Sequence, residues 1–194
     1  MRIYLASQSP RRRELLEQIG ISYEVLSVDV EELRLQHETP AEYVQRLSLE
    51  KAKAGVQYQP EGLVLGADTI VVLNDKVLEK PCSEQHGVEM LLQLSGNTHE
   101  VMTAVSLVRG KTIATRLNTT TVRFRPITES EARLYWQTGE PQDKAGGYGI
   151  QGRGAVFVEE ISGSYSSVVG LPLFETAQLI NLFSESSECT GQQS

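Results

Sequence analysis

Cysteine is almost missing from this chain: Cys82 and Cys189 are the only two in 194 residues. They lie far apart, so neither a disulfide framework nor a thiolate zinc spacing can be written. Histidine is nearly as scarce. His37, His86 and His99 stand alone and read as structural or exposed residues. No apolar run reaches the roughly 20 residues of a membrane helix, and the first residues lack the apolar centre of an export signal. Both absences point to a cytoplasmic protein with no membrane partner. Positive charge is also in deficit. The net charge is −7, which argues against broad binding to nucleic acid. There is no Walker A pattern and no serine in a nucleophile elbow. Hydrolysis here would therefore use metal-activated water, not a covalent serine or cysteine.

Against this acidic background one basic cluster stands out: Leu5-Ala6-Ser7-Gln8-Ser9-Pro10-Arg11-Arg12-Arg13. Residues 3–6 read as an apolar strand. Ser9 suits a helix N-cap and Pro10 the first helical position. Leu15, Leu16 and Ile19 make one apolar face, and Gly20 a C-terminal stop. Arginines in a first helical turn oppose the helix dipole, so an anion is expected to offset them there. A plain solvated basic turn is the alternative. Two hydroxyls, Ser7 and Ser9, beside Arg11 and Arg12 at a fresh helix start favour a phosphate site.

Downstream, residues 23–28 read as a strand, with Glu31 and Glu32 following. Thr39-Pro40-Ala41-Glu42 is a capping box whose helix runs to about Gly55. Residues 63–67 form a short apolar strand that Asp68-Thr69 ends, and residues 70–73 resume it. Asn74-Asp75 turns the chain back through Val77-Leu78 to Glu79-Lys80-Pro81. Ser83 caps a helix to about Leu94. Residues 98–109 and 111–125 form a hairpin about Gly110. Thr128-Glu129-Ser130-Glu131 opens a helix to about Thr138. Residues 141–154 form a glycine-rich loop, residues 155–161 a strand, and residues 172–183 the last helix. A polar tail, residues 185–194, follows a single domain of residues 1–184. Isolated strands and hairpins interleave with helices, so a mixed sheet in an α/β fold is expected.

Asp68 is the sharpest candidate. A carboxylate set between Leu63-Val64-Leu65-Gly66-Ala67 and Ile70-Val71-Val72-Leu73 costs free energy unless it is paired or holds a metal. The alternative is a carboxylate capping nearby backbone N–H groups. Glu31 and Glu32, beside such an acid, would complete an oxygen site for magnesium or manganese. Lys51, Lys80 and Lys144, with the arginines, would neutralise a polyphosphate. Gly147-Tyr148-Gly149-Ile150-Gln151-Gly152 matches G-x-G-x-x-G in form, but a strand is expected after it, so a dinucleotide site is rejected. Five glycines between residues 143 and 154 would let the backbone approach a ligand. Tyr148 and Gln151 offer a ring and an amide for recognising a base.

These residues together resemble the Maf family. The resemblance rests on Leu5-Ala6-Ser7-x-Ser9-Pro10-Arg11-Arg12, Glu32, Glu50-Lys51-Ala52, Gly66-Ala67-Asp68-Thr69, Glu79-Lys80-Pro81 and Leu94-Ser95-Gly96. It continues through Asp143-Lys144-Ala145-Gly146-x-Tyr148-Gly149-Ile150-Gln151-Gly152, Gly163-Ser164-Tyr165 and Val169-Gly170-Leu171-Pro172. It implies an elongated mixed sheet flanked by helices, two lobes around a deep cleft, and a fold related to the inosine-triphosphatase family. It implies metal-dependent cleavage of a nucleoside triphosphate between its α and β phosphates, and a homodimer. It further implies Asp68 as base, Glu32, Lys51 and Lys80 in support, and Asp68 with Glu32 at the metal. Arg11, Thr69 and Gln151 match the specificity positions of the dTTP/UTP subgroup. The sister subgroup acting on 7-methyl-GTP lacks the Lys-Ala-Gly-x-Tyr-Gly-Ile-Gln loop. Competing readings are the same chemistry on a modified purine triphosphate, a nucleotide-binding regulator of cell division without turnover, and a nucleic-acid-binding module.

Overall fold

The computed structural model describes residues 2–188, and for residues 186–188 the backbone only. The fold is mixed α/β on a seven-stranded sheet. The strands are β1 (Ile3–Leu5), β2 (Tyr23–Val25), β3 (Leu63–Leu73), β4 (Lys76–Leu78), β5 (Thr98–Arg109), β6 (Thr112–Phe124) and β7 (Val158–Ser162). Their order is β2-β1-β3-β5-β6-β7, with β4 paired to β3. β1 runs parallel to both β2 and β3, whereas β4 on β3 and β7 on β6 are antiparallel. β5 and β6 are joined by the two residues Gly110-Lys111, with Gly110 at φ +56°, the positive φ that a tight hairpin turn requires.

The helices are α1 (Pro10–Gln18), α2 (Pro40–Val56), α3 (Glu84–Leu94), α4 (Glu129–Trp136), α5 (Tyr165–Val169) and α6 (Leu173–Glu188). Their starts follow local chemistry. Both capping boxes form: Glu42 N–H donates to Thr39 Oγ1, and Thr39 N–H to Glu42 Oε2; Thr128 and Glu131 repeat the pattern. α1 ends in a Schellman turn, with Ile21 N–H bonded to Leu16 O, Gly20 N–H to Glu17 O, and Gly20 at φ +69°. α2 buries Tyr43, Val44, Leu47, Ser48, Ala52 and Gly55 along one helical face.

Two compact units divide the chain. The first holds residues up to Asp68, Thr103–Asn118 and the chain from Gly170; the second holds Thr69–Met102 and Thr119–Val169. The first unit has a core of Tyr4, Ala6, Ala52, Val64 and Val108. The second is built on an aromatic cluster of His99, Phe124, Tyr135, Tyr148 and Phe157 in mostly edge-to-face contact.

Four local expectations need correction. β3 does not stop at Asp68-Thr69 but runs unbroken to Leu73, because ladder pairing uses the backbone and the acid finds a side-chain partner. Residues 153–157 form a 3-10 turn before β7: the N–H groups of Arg153 and Gly154 are claimed by the Glu140 carboxylate, and that of Ala155 by Gly152 O. The last helix continues past Phe183 to Glu188, so the part of the expected tail beyond residue 188 lies outside the described residues. Helix α5 had no sequence signal; Ser164 Oγ, accepting from Ser167 N–H, starts it.

Candidate active site

In the first unit, Gly66 decides the geometry. A Cβ there would meet Ser48 O at 2.3 Å and Ala52 N at 2.5 Å, so only glycine lets α2 lie directly on β3. Lys51 precedes Ala52, and Asp68 follows Gly66 by two residues, on the same face of the strand. The helix therefore carries Lys51 onto Asp68. Lys51 Nζ donates to Asp68 Oδ1 at 2.6 Å and to Glu32 Oε1 at 2.6 Å. Asp68 is 7% exposed, so this ammonium answers the cost of placing a carboxylate in a strand interior.

Glu32 sits in the irregular segment between β2 and α2, and that segment is stapled. Tyr43 Oη donates to Glu32 O at 3.0 Å. Arg46 donates from Nη2 to Leu33 O, and from Nε and Nη2 to the two oxygens of Glu38 at 2.7 and 2.9 Å. This two-pronged bond holds the Arg46 guanidinium above its usual pKa and the Glu38 carboxyl below its own.

The turn from β1 into α1 adds cations. Ser7 Oγ accepts from Ser9 N–H at 3.2 Å and from Arg12 Nη1 at 3.1 Å, while Arg12 Nε donates to Gly170 O at 2.8 Å. Burial pulls the Arg12 guanidinium below its usual pKa, and the charges of Asp68 and Glu32 oppose that pull. The guanidinium and the two carboxylates thus share one electrostatic neighbourhood. Ser9 takes the N-cap position with Pro10 after it, but its side chain makes no capping bond. Ser7, not Ser9, supplies the local acceptor.

In the second unit, Gly146 N–H donates to Glu79 O at 3.2 Å. Gly146 holds φ +69°, and a Cβ on it would strike Val71 Cγ2 at 2.9 Å, so the loop passes close over β3 beside the Glu79-Lys80-Pro81 segment. Lys144 Nζ donates to Glu140 O at 2.7 Å and Asp143 Oδ1 at 2.6 Å. Tyr148 is 6% exposed, its Oη hydrogen-bonded to His99 Nε2 at 2.8 Å. Gln151 is exposed at the tip of a turn in which Gly152 N–H donates to Gly149 O.

Residues 2–183 match the family described as Maf-like protein. The chain belongs to the Maf family. It is 60% identical to a dTTP/UTP pyrophosphatase of Saccharophagus degradans, over 93% of this chain and 88% of that protein. It is 54% identical to a dTTP/UTP pyrophosphatase of Pectobacterium atrosepticum, over 98% of this chain and 97% of that one. A protein of the same name from Alkalilimnicola ehrlichii is also 54% identical, over 93% of this chain and 92% of its own length.

In this Maf protein, Ser7, Arg12, Glu32, Lys51 and Asp68 come together in the first unit, with Ser9 and Arg11 in the same turn. Thr69, Lys80, Lys144, Tyr148 and Gln151 belong to the second unit. Two of these have partners within the second unit: the Tyr148 ring packs in the aromatic core, and the Lys144 ammonium is bonded within its own loop. Sequence reasoning missed Gly66, Tyr43, Arg46 and Glu140, which place other residues. Only Gly66 had a signal, a glycine inside an apolar strand.

Proposed function

We propose that this Maf protein hydrolyses dTTP and UTP between the α and β phosphates, releasing the monophosphate and pyrophosphate. One observation carries the reading: a single ammonium, Lys51, holds Asp68 and Glu32 at 2.6 Å each, and the charges of both carboxylates act on the Arg12 guanidinium. A carboxylate fixed in that way has the standing of a general base, and the neighbouring cations suit a polyanion. The names of the relatives supply the substrate class.

Asp68 takes the proton from the attacking water. Lys51 keeps Asp68 and Glu32 in register, and Arg12, seated on Ser7 and Gly170 O, binds phosphate oxygens together with Arg11. In-line attack on phosphorus asks for little beyond this positioning and charge stabilisation. Among the described residues, no group of three or more His, Cys, Asp or Glu side chains is arranged to hold a metal ion. Two adjacent carboxylates nevertheless fit magnesium or manganese, which take hard oxygen ligands and complete their shell with phosphate oxygens and water. Asp68 and Glu32 would hold the ion, and when bound it supplies positive charge to the triphosphate. On the family resemblance we assign base recognition to Gln151 and Thr69, and a supporting cationic role to Lys80. On the same resemblance we propose a homodimer, and we propose that it acts in the cytoplasm. No helix among the described residues is long and apolar enough to cross a membrane.

The test is Asp68→Asn, assayed for pyrophosphate release with dTTP, UTP and modified purine triphosphates plus magnesium or manganese. The variant should lose on the order of 10²–10⁴ in kcat while still binding dTTP. Undiminished release would remove Asp68 from the chemistry. Binding of dTTP by the wild type without any release would favour a regulator.

A further inference from the structure

The glycine-rich loop is built around a carboxylate. Glu140 is half-buried at the start of the loop. Its Oε1 accepts from Tyr135 Oη at 2.7 Å and from Gly154 N–H at 3.1 Å, and its Oε2 accepts from Arg153 N–H at 2.8 Å. Tyr135 Oη in turn accepts from Gly149 N–H at 3.0 Å. The pair therefore grips the backbone on both sides of Gln151: residue 149 before it, residues 153 and 154 after it. Tyr148 and Ile150 are buried on the inner side, which leaves Gln151 outward at the tip.

The glycines follow from the same pair. A Cβ on Gly152 would meet Glu140 Oε2 at 2.5 Å, and one on Gly154 would meet Tyr135 Oη at 2.7 Å. One on Gly149 would meet Lys144 Cε at 2.8 Å and Glu140 Oε1 at 3.2 Å. These three glycines admit a carboxylate and a phenol of the chain itself. Bonds from backbone N–H to a carboxylate are charge-assisted, and a half-buried acceptor makes their loss expensive.

We propose that Tyr135 and Glu140 are positioning residues for base selection: they hold the 149–154 turn in one conformation, so that the Gln151 amide meets the base preorganised. This rests on the reading that Gln151 recognises the base. The side-chain bonds of both residues run to each other and to the backbone of this loop, so selection should change more than chemistry.

Glu140→Gln, Tyr135→Phe and Gly152→Ala are compared with wild type by kcat and KM for dTTP, UTP and dATP, and by amide hydrogen exchange over residues 149–154. The glutamine replaces one acceptor oxygen with a donor. The phenylalanine removes the bridge to Gly149 with least change of volume. The alanine pushes the carboxylate away. All three should speed exchange in the turn. They should raise KM for dTTP and UTP by about tenfold while kcat falls less than about threefold, and so narrow the preference over dATP. Unchanged exchange in folded Tyr135→Phe overturns the positioning role. Faster exchange with an unchanged preference overturns its link to base selection. If the wild type releases no pyrophosphate, the proposed function fails, and exchange with the selectivity of nucleotide binding still decides this inference.

Discussion

Acid should unfold this protein partly through one histidine. His99 is 2% exposed in the aromatic core of the second unit. Its Nε2 is bonded to Tyr148 Oη, its ring packs edge-on against Phe124 and Tyr148, and its Nδ1 has no hydrogen-bond partner. The charged ring would carry an N–H on both nitrogens, and no acceptor waits at Nδ1. Burial accordingly pulls its pKa from 6.5 down to about 4. The unfolded chain then binds the proton first. Stability is fully present above the unfolded pKa and falls as the pH drops from about 6.5 toward about 4. At 1.36 kcal/mol per pKa unit the loss by pH 4 is about 3 kcal/mol, or roughly 6–12 °C in Tm for a chain of this size. The assay is denaturant unfolding of wild type and His99→Gln at pH 7, 6, 5 and 4. Glutamine keeps a polar partner for Tyr148 and cannot titrate, and the carboxylates common to both proteins cancel in the difference. The wild-type advantage should shrink by about 3 kcal/mol across the series. Parallel pH profiles would refute the assignment.

Two further outcomes follow from the first unit. Gly66→Ala puts a methyl group into the α2 backbone, 2.3 Å from Ser48 O. It should cost at least the roughly 1–3 kcal/mol of an overpacked core and also lower kcat, because Lys51 rides on that helix; chemical denaturation and turnover measure both. Lys51→Met keeps the length of the side chain and removes the shared ammonium from Asp68 and Glu32. Pyrophosphate release should fall at least about a hundredfold, by loss of a preorganised charge, and turnover equal to wild type would count against the triad.

The Asp68 carboxylate illustrates how far local reading reaches. Its cost inside an apolar run was visible in the sequence, and so was the need for a partner. Which lysine answers it was not, because Lys51, Lys80 and Lys144 look alike until α2 is set on β3. The opening turn behaves similarly. Pro10 and Gly20 bound α1 as their chemistry requires, yet the Ser9 hydroxyl expected as the cap makes no capping bond, and Ser7 serves Arg12. Glu140, beside a proline, gave no sequence signal, although the loop that follows is folded about it.

What the chain determines by itself is whatever is settled within a few residues or by repeating pattern. The capping boxes, the Gly110 turn, the helices at 3.6-residue spacing and the family motifs are all of this kind. What only the tertiary structure decided are the pairings between distant segments: Lys51 with Asp68 and Glu32, Arg12 with Gly170 O, Tyr148 with His99, Glu140 with Arg153 and Gly154. The reason is one of range. Backbone preference and periodicity act over a turn or a strand, whereas a polar side chain takes the partner that packing brings within about 3 Å once water is excluded.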